Sequence, residues 1–209
     1  QRQMCIRDSV WTGLSNYKKL LTDEVVISAI GNTFKYAIIV VPISIILSLI
    51  VAVLLNQNIK GKSLYRTIYF LPMVAAPAAI AMIWKWLFNS EFGIINQILN
   101  LIGINGPMWL SDSKTALISI AVVGIWSCIG YNMVLLLAGL QEIPKDYYEA
   151  ANVDGAGPIR TFFKITLPLL SPTMFFVVVT SVIGSLQVFD TIFMMIGKTN
   201  VAIEGTQSL

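Results

Sequence analysis

Apolar residues in this chain gather into four long runs without a charged side chain, at about residues 36–55, 67–84, 116–140 and 166–189. Each run is close to the roughly 18 to 25 residues that an α-helix needs to cross about 30 Å of hydrocarbon. None alternates apolar and polar positions as a barrel strand does, and a backbone in lipid must satisfy its own hydrogen bonds, so the runs read as helices. The pattern predicts an all-α, polytopic helical membrane protein whose transmembrane domain, residues 10–209, holds four spans.

The connections carry weaker patterns. Between Gly93 and Gly103, the residues Ile94, Ile95, Ile98, Leu99 and Ile102 recur at helical spacing, which predicts a short interfacial helix. Leu20, Leu21, Val25, Ile27 and Ile30 repeat less regularly ahead of the first run, and both segments are expected to lie flat on the outer surface. Lys60, Lys62 and Arg66 follow the first run with no acid nearby, so the positive-inside tendency makes that loop cytoplasmic. Alternation then puts the Glu91 to Asp112 connection outside and the 142–164 loop inside.

Composition narrows the class further. With 56% hydrophobic and only 12% charged residues, the chain is an integral membrane protein rather than a soluble domain. Its net charge of +3 is spread over loops with no basic run, so the lipid bilayer and not nucleic acid is the expected surroundings. Cys5 in the N-terminal tail and Cys128 within a run suggest no disulfide framework. The runs hold no ionisable group for a proton relay and histidine is absent, which disfavours an ion-driven carrier, although a sodium site built from carbonyls stays open. No metal site is expected, and no glycine-rich phosphate loop ending in Lys-Ser or Lys-Thr occurs. Residues 1–9 have neither a signal-peptide core nor an amphipathic pattern and read as a non-native segment. Thr191 to Gly197 is apolar but too short to span, so the chain reads as a fragment.

The inner loop reads as two short helices around a glycine corner. Pro144 suits a first helical position, Asp146 and Glu149 place negative charge in the early turns, and Asp154-Gly155 offers a left-handed stop. A second helix is expected from Pro158 through Ile159, Phe162, Phe163 and Ile165 into the membrane. The corner presents a knob in which Tyr147, Tyr148, Ala150, Ala151 and Val153 stand beside the acids, and a knob of this kind fits a groove on a partner. A tight connector, whose glycines only let the chain turn, is the other reading of the same residues.

The order Glu149-Ala150-Ala151, then Gly155, Ile165 and Leu167-Pro168 resembles the EAA loop of permease subunits in binding-protein-dependent ATP-binding-cassette (ABC) importers. Gly13-Leu14-Ser15-Asn16-Tyr17, Asn32-Thr33, Leu71-Pro72 and Trp109-Leu110 extend the resemblance to the sugar-permease branch, which includes the maltose and glycerol-phosphate permease subunits. The resemblance implies the type I importer fold and a coupling helix that sits in a cleft of an ATPase, with Glu149, Ala150, Ala151, Asp154 and Gly155 matching that motif. It also implies a second homologous permease, two ATPase subunits that use the ATP and Mg, an extracytoplasmic solute-binding protein and a bacterial or archaeal plasma membrane. The chain itself would be no enzyme and would bind no cofactor. A further span before Gly13 and another after Leu209 belong to the family pattern, so truncation at both ends is expected.

A path for a polar solute needs hydrogen-bonding groups at depth, and an aromatic face suits a sugar ring. Ser127 and Tyr131 share a face of the third run at i, i+4 spacing, with Trp126 and Asn132 adjacent in sequence. Ser181 and Ser185 repeat that spacing in the fourth run, with Gln187 and Asp190 beyond. Aligned on the EAA loop, Tyr131, Ser181 and Ser185 fall where the resemblance implies sugar contacts. The alternative is that these groups bond across helices, at about 0.6 kcal/mol each in a membrane interior. Ser44 and Ser48 read as packing residues, and Ala75, Ala76, Ala78, Ala79 and Ala81 as a close-packing helix face, with kinks at Pro72 and Pro77. A permease subunit for sugars, oligosaccharides or related polyol derivatives is the expectation. A self-contained secondary carrier or channel and a structural membrane subunit are the alternatives.

Overall fold

The computed structural model describes residues 13–57, 60–188 and 190–196. The described elements are α1 (Ser15–Thr22), α2 (Glu24–Asn56), α3 (Lys62–Val74), α4 (Pro77–Leu87), α5 (Ile94–Leu101), α6 (Ser113–Glu142), α7 (Lys145–Val153) and α8 (Pro158–Thr161), then a π-helical turn (Phe162–Thr166), α9 (Leu167–Leu169), α10 (Ser171–Leu186) and α11 (Asp190–Ile196). No strand occurs among the described residues, and the expected all-α fold is observed. The segment 1–9 with Cys5, and Phe189 at the end of the fourth run, lie outside them.

Two helices, α2 and α6, are long and apolar enough to cross a membrane unbroken. The first begins well before the expected span: Val25, Ile27 and Ile30 belong to α2 itself and do not form a separate flat segment, so only α1 stands apart. The carboxylate of Asp23 starts α2 by accepting the Val25 N–H at 2.9 Å. A helix of 33 residues is about 50 Å long, more than the hydrocarbon layer needs, which leaves room for Glu24 and the exposed Lys35 beyond it.

The second and fourth runs are not straight. Helices α3 and α4 meet at 99° across Ala75 and Ala76, and the segment Pro158–Leu169 meets α10 at 68° across Leu170. The break at Ala76 follows from Pro77, which opens α4 and disfavours helical geometry in the residue before it. Pro72 lies inside α3 without ending it. Each bent pair has the length and composition of one span, so the apolar runs correspond to two unbroken helices and two bent pairs.

Helix α6 is the centre of the packing, with α2, α3 and α10 laid against it. Three of its glycines make this possible: a β-carbon on Gly124 would meet the Tyr36 hydroxyl of α2, one on Gly130 the Tyr69 carbonyl of α3, and one on Gly139 the Thr173 hydroxyl of α10. Around these contacts lie two apolar clusters, one with Tyr36, Val40, Ile120 and Val123, the other with Leu55, Met133, Leu136, Leu170 and Val177. Ser44 and Ser48 are fully buried between α2 and α6, where the Ser48 hydroxyl reaches the Ser44 carbonyl at 2.6 Å and the Ile129 carbonyl across the interface at 3.2 Å. The alanines of the second run do not share one packed face: Ala81 is buried, whereas Ala79, two positions earlier on the same helix and so on its other side, and Ala76 at the bend are exposed.

The Glu91 to Asp112 connection is pinned by side chains. Helix α5 matches the expected short helix, and the buried Asn96 on it accepts the Trp109 indole N–H at 2.7 Å and donates to the Ser90 carbonyl at 3.1 Å. Ser119 in turn donates to the Trp109 carbonyl at 3.0 Å. The apolar piece near the C-terminus forms α11, whose Met195 and Ile196 are buried as it packs on α4.

Candidate functional site

The 142–164 loop folds as the turn residues require. Pro144 stands just outside α7 as its N-cap, one position before the expected place, and Asp146 is in the first turn. At the other end Gly155 has φ +70°, the Gly155 N–H reaches the Asn152 carbonyl at 3.1 Å, and the Ala156 N–H reaches the Ala151 carbonyl at 2.9 Å. These two bonds form a Schellman motif, which closes the helix and turns the chain back toward Pro158. Gly157 and Pro158 then start α8.

Helical geometry sorts the expected knob into two faces. Tyr147, Glu149, Ala150, Val153 and Asp154 are exposed, with Val153 88% exposed, and Gly155 is exposed beside them. Ala151 is 5% exposed and Tyr148 half-buried, because positions three apart on a helix share a side and this side faces the bundle. The structure therefore corrects the expectation that Tyr148 and Ala151 belong to an outward surface. The outward face combines an aromatic ring, small apolar groups and two acids, which suits insertion into a cleft.

Behind α7 the Tyr148 hydroxyl lies 3.2 Å from the buried Thr166 hydroxyl at the end of the π-helical turn. In that turn the Leu167 N–H bonds to the Phe162 carbonyl, five residues back. Phe162 and Phe163 pack edge to face at 5.2 Å; Phe162 is half-buried and Phe163 exposed. A cavity of about 390 Å³ opens between α7 and the end of α2, lined by Asn56, Gln57, Tyr148, Asn152, Phe162 and Thr166 among others.

The expected path residues are only partly brought together. Asn132 of α6 and Ser181 of α10 face each other, with the Asn132 amide donating to the Ser181 hydroxyl at 3.2 Å. Asn132 is 2% exposed, so this bond satisfies a group that lipid or apolar neighbours would leave stranded. Ser185 is buried and donates to its own helix, at the Val182 carbonyl, 2.8 Å away. Ser127 and Tyr131 are half-buried, and the Tyr131 hydroxyl makes no hydrogen bond with another described residue. Gln187 caps α10 and is exposed, as is Asp190 at the start of α11. Two features escaped the sequence reading. One is Thr166, the partner of Tyr148; the other is the trio Gly124, Gly130 and Gly139, whose presence inside an otherwise bulky apolar run was the available signal. Among the described residues no cluster of acids, cysteines or histidines forms a metal site.

Residues 20–207 match the family model of the binding-protein-dependent transport system inner membrane component. A probable ABC transporter permease protein, YesP of Bacillus subtilis, is 36% identical over 199 residues, covering 94% of this chain and 64% of that relative. The sn-glycerol-3-phosphate transport system permease protein UgpA of Yersinia pestis is 37% identical over 185 residues, covering 88% of this chain and 61% of its own length. The chain thus spans a little under two thirds of the relatives it matches. The crystal structure of a bacterial ABC transporter involved in the import of the acidic polysaccharide alginate contains a chain of the same fold, with a TM-score of 0.85 at 22% identity, over 96% of this chain and 71% of that one. With its EAA loop folded into a capped, outward-facing helix and nearly its whole length matched by one family, the chain belongs to the inner membrane components of binding-protein-dependent transport systems.

Proposed function

We propose that this chain is part of a permease subunit of an ATP-driven importer for sugars, oligosaccharides or related polyol derivatives, and that α7 is its coupling helix. The observation that carries this reading is α7 itself: a short helix, closed by a Schellman motif at Gly155, that turns Tyr147, Glu149, Ala150, Val153 and Asp154 outward. A second permease, two ATPase subunits and an extracytoplasmic solute-binding protein complete the importer. The named transport of glycerol phosphate by UgpA and of alginate by the structural relative supports a polar, hydroxyl-rich solute.

The geometry supplies a route from α7 to the membrane. An ATPase cleft that moves α7 would pull on Thr166 through Tyr148, and the segment Pro158–Leu169 would carry that movement across the bend at Leu170 into α10. Helix α10 is joined to α6 by the Ser181–Asn132 bond, with Tyr131 next to Asn132 in sequence and Ser185 one turn from Ser181. Rocking of α10 against α6 would then open and close the solute path lined by Ser127, Tyr131, Asn132, Ser181, Ser185 and Gln187.

Affinity purification of the full-length subunit from its native membrane tests the reading, with the Glu149→Ala form as control. Recovery of an ATPase and a second permease, weakened in the variant, is the expected result. Recovery of the protein alone, transporting after reconstitution without ATP, would replace the reading with a secondary carrier.

A further inference from the structure

The segment between the glycine corner and α10 has an exposed face that α7 does not use. Ile159 is 75% and Phe163 59% exposed, one turn apart, and the next stripe of the same helix carries the exposed cations Arg160 and Lys164. Neither cation forms an ion pair with another described residue. Together with Gly157 and Pro158 these four side chains line an open groove of about 480 Å³ whose walls are almost wholly apolar. Because Pro158–Leu169 is bent 68° from α10, a membrane-spanning α10 holds this segment closer to the membrane plane than to its normal.

We infer that this groove binds an acidic phospholipid of the cytoplasmic leaflet. The acyl chain covers Ile159 and Phe163, and the phosphate meets Arg160 and Lys164, whose aliphatic stems lie along apolar surface while their charges reach the headgroup layer. One amphiphile satisfies both halves of the groove, whereas a water-facing surface would leave Ile159 and Phe163 wet and a hydrocarbon-facing one would strand the charges. An ATPase contact is disfavoured because no residue of α7 lines the groove. The lipid would anchor the elbow through which α7 acts on α10, making the importer sensitive to leaflet charge. Lipid binding rests on a membrane-spanning α10 and is independent of the coupling role of α7, on which only the sensitivity of transport to leaflet charge depends.

The test uses the full-length subunit in its assembled complex, in nanodiscs of phosphatidylcholine doped with photoactivatable phosphatidylglycerol. Adducts are expected on the peptide spanning 157–164, and the Arg160→Gln, Lys164→Gln double variant should lower them on the order of tenfold, from the attraction of two cations near an anionic surface. Equal labelling by a photoactivatable phosphatidylcholine, or labelling unchanged in the double variant, would overturn the inference. Protection of the peptide by the ATPase in lipid-free detergent, lost in the double variant, would overturn it in favour of a protein contact. Should that variant fail to assemble, Phe163→Trp keeps both charges. The emission this tryptophan adds to that of the native complex should be quenched more by brominated phosphatidylglycerol than by brominated phosphatidylcholine, and equal quenching by the two, or none, would overturn the inference. Failure to recover an ATPase would sink the coupling reading while leaving these lipid measurements unaffected.

Discussion

The hydroxyls of Tyr148 and Thr166 lie 3.2 Å apart and join the inward face of α7 to the last residue of the π-helical turn that leads toward α10. The extra residue in such a turn shifts the phase of the side chains around it, and π-turns of this kind gather at functional sites. Tyr148→Phe removes the bond while keeping the ring. It should lower solute uptake per ATP hydrolysed with little change in membrane insertion, and a double-mutant cycle with Thr166→Val should give a coupling energy of about 0.6 kcal/mol. Strict additivity, with a native transport-to-hydrolysis ratio in both single variants, would remove the bond from the relay.

Glu149 is exposed on the outward face of α7, so Glu149→Ala should leave stability within about 0.5 kcal/mol of native. Uptake into proteoliposomes is where the loss should appear, as uncoupled transport. Native ATP-driven uptake by this variant would dismiss α7 as the coupling helix.

Gly155 holds φ +70°, and a side chain there would cost about 1–2 kcal/mol. Gly155→Ala should loosen the bond from the Ala156 N–H to the Ala151 carbonyl and fray the end of α7. Faster amide hydrogen exchange in residues 151–156, with slow exchange retained in the middle of α6, is the expected signature.

On α6, a β-carbon at Gly130 would run into the Tyr69 backbone, which cannot swing away as a flexible side chain could. Gly130→Ala should therefore lower the thermal midpoint in detergent, by an overpacking cost of about 1–3 kcal/mol. An unchanged midpoint would show that α3 is not held against α6 at this point.

Asn132 and Tyr131 are neighbours in sequence with different surroundings, and their variants should separate packing from recognition. Asn132→Ala leaves the Ser181 hydroxyl without its partner and should reduce stability. Tyr131→Phe removes a half-buried hydroxyl bonded to no other described residue, and should raise the half-saturation concentration for solute with the thermal midpoint unchanged. A stability loss at Tyr131 with native solute affinity would assign that hydroxyl to packing instead.

The membrane class, the helical character of the apolar runs, the short helix between Gly93 and Gly103, and the corner around Gly155 were legible in the sequence because each depends on local causes. Those causes are the length of a charge-free run, the spacing of isoleucines, and a glycine where a left-handed residue is needed. The EAA spacing pointed to the proposed coupling loop for the same reason, since it resides in one continuous stretch, Glu149 to Pro168.

Tertiary structure decided what depends on which surfaces meet. Pro77 marked a kink in the second run, but the sequence did not show that it reaches 99° while Pro72 leaves its helix unbroken, and nothing in the composition of the fourth run reveals the 68° bend at Leu170. Nor does it show that Tyr148 turns inward to Thr166 while Tyr147 faces out, or that Asn132 is answered by Ser181 from 49 residues away. Hydrophobic pattern specifies that a face is buried, whereas the partner across it is set by the packing of whole helices, here around the glycines of α6.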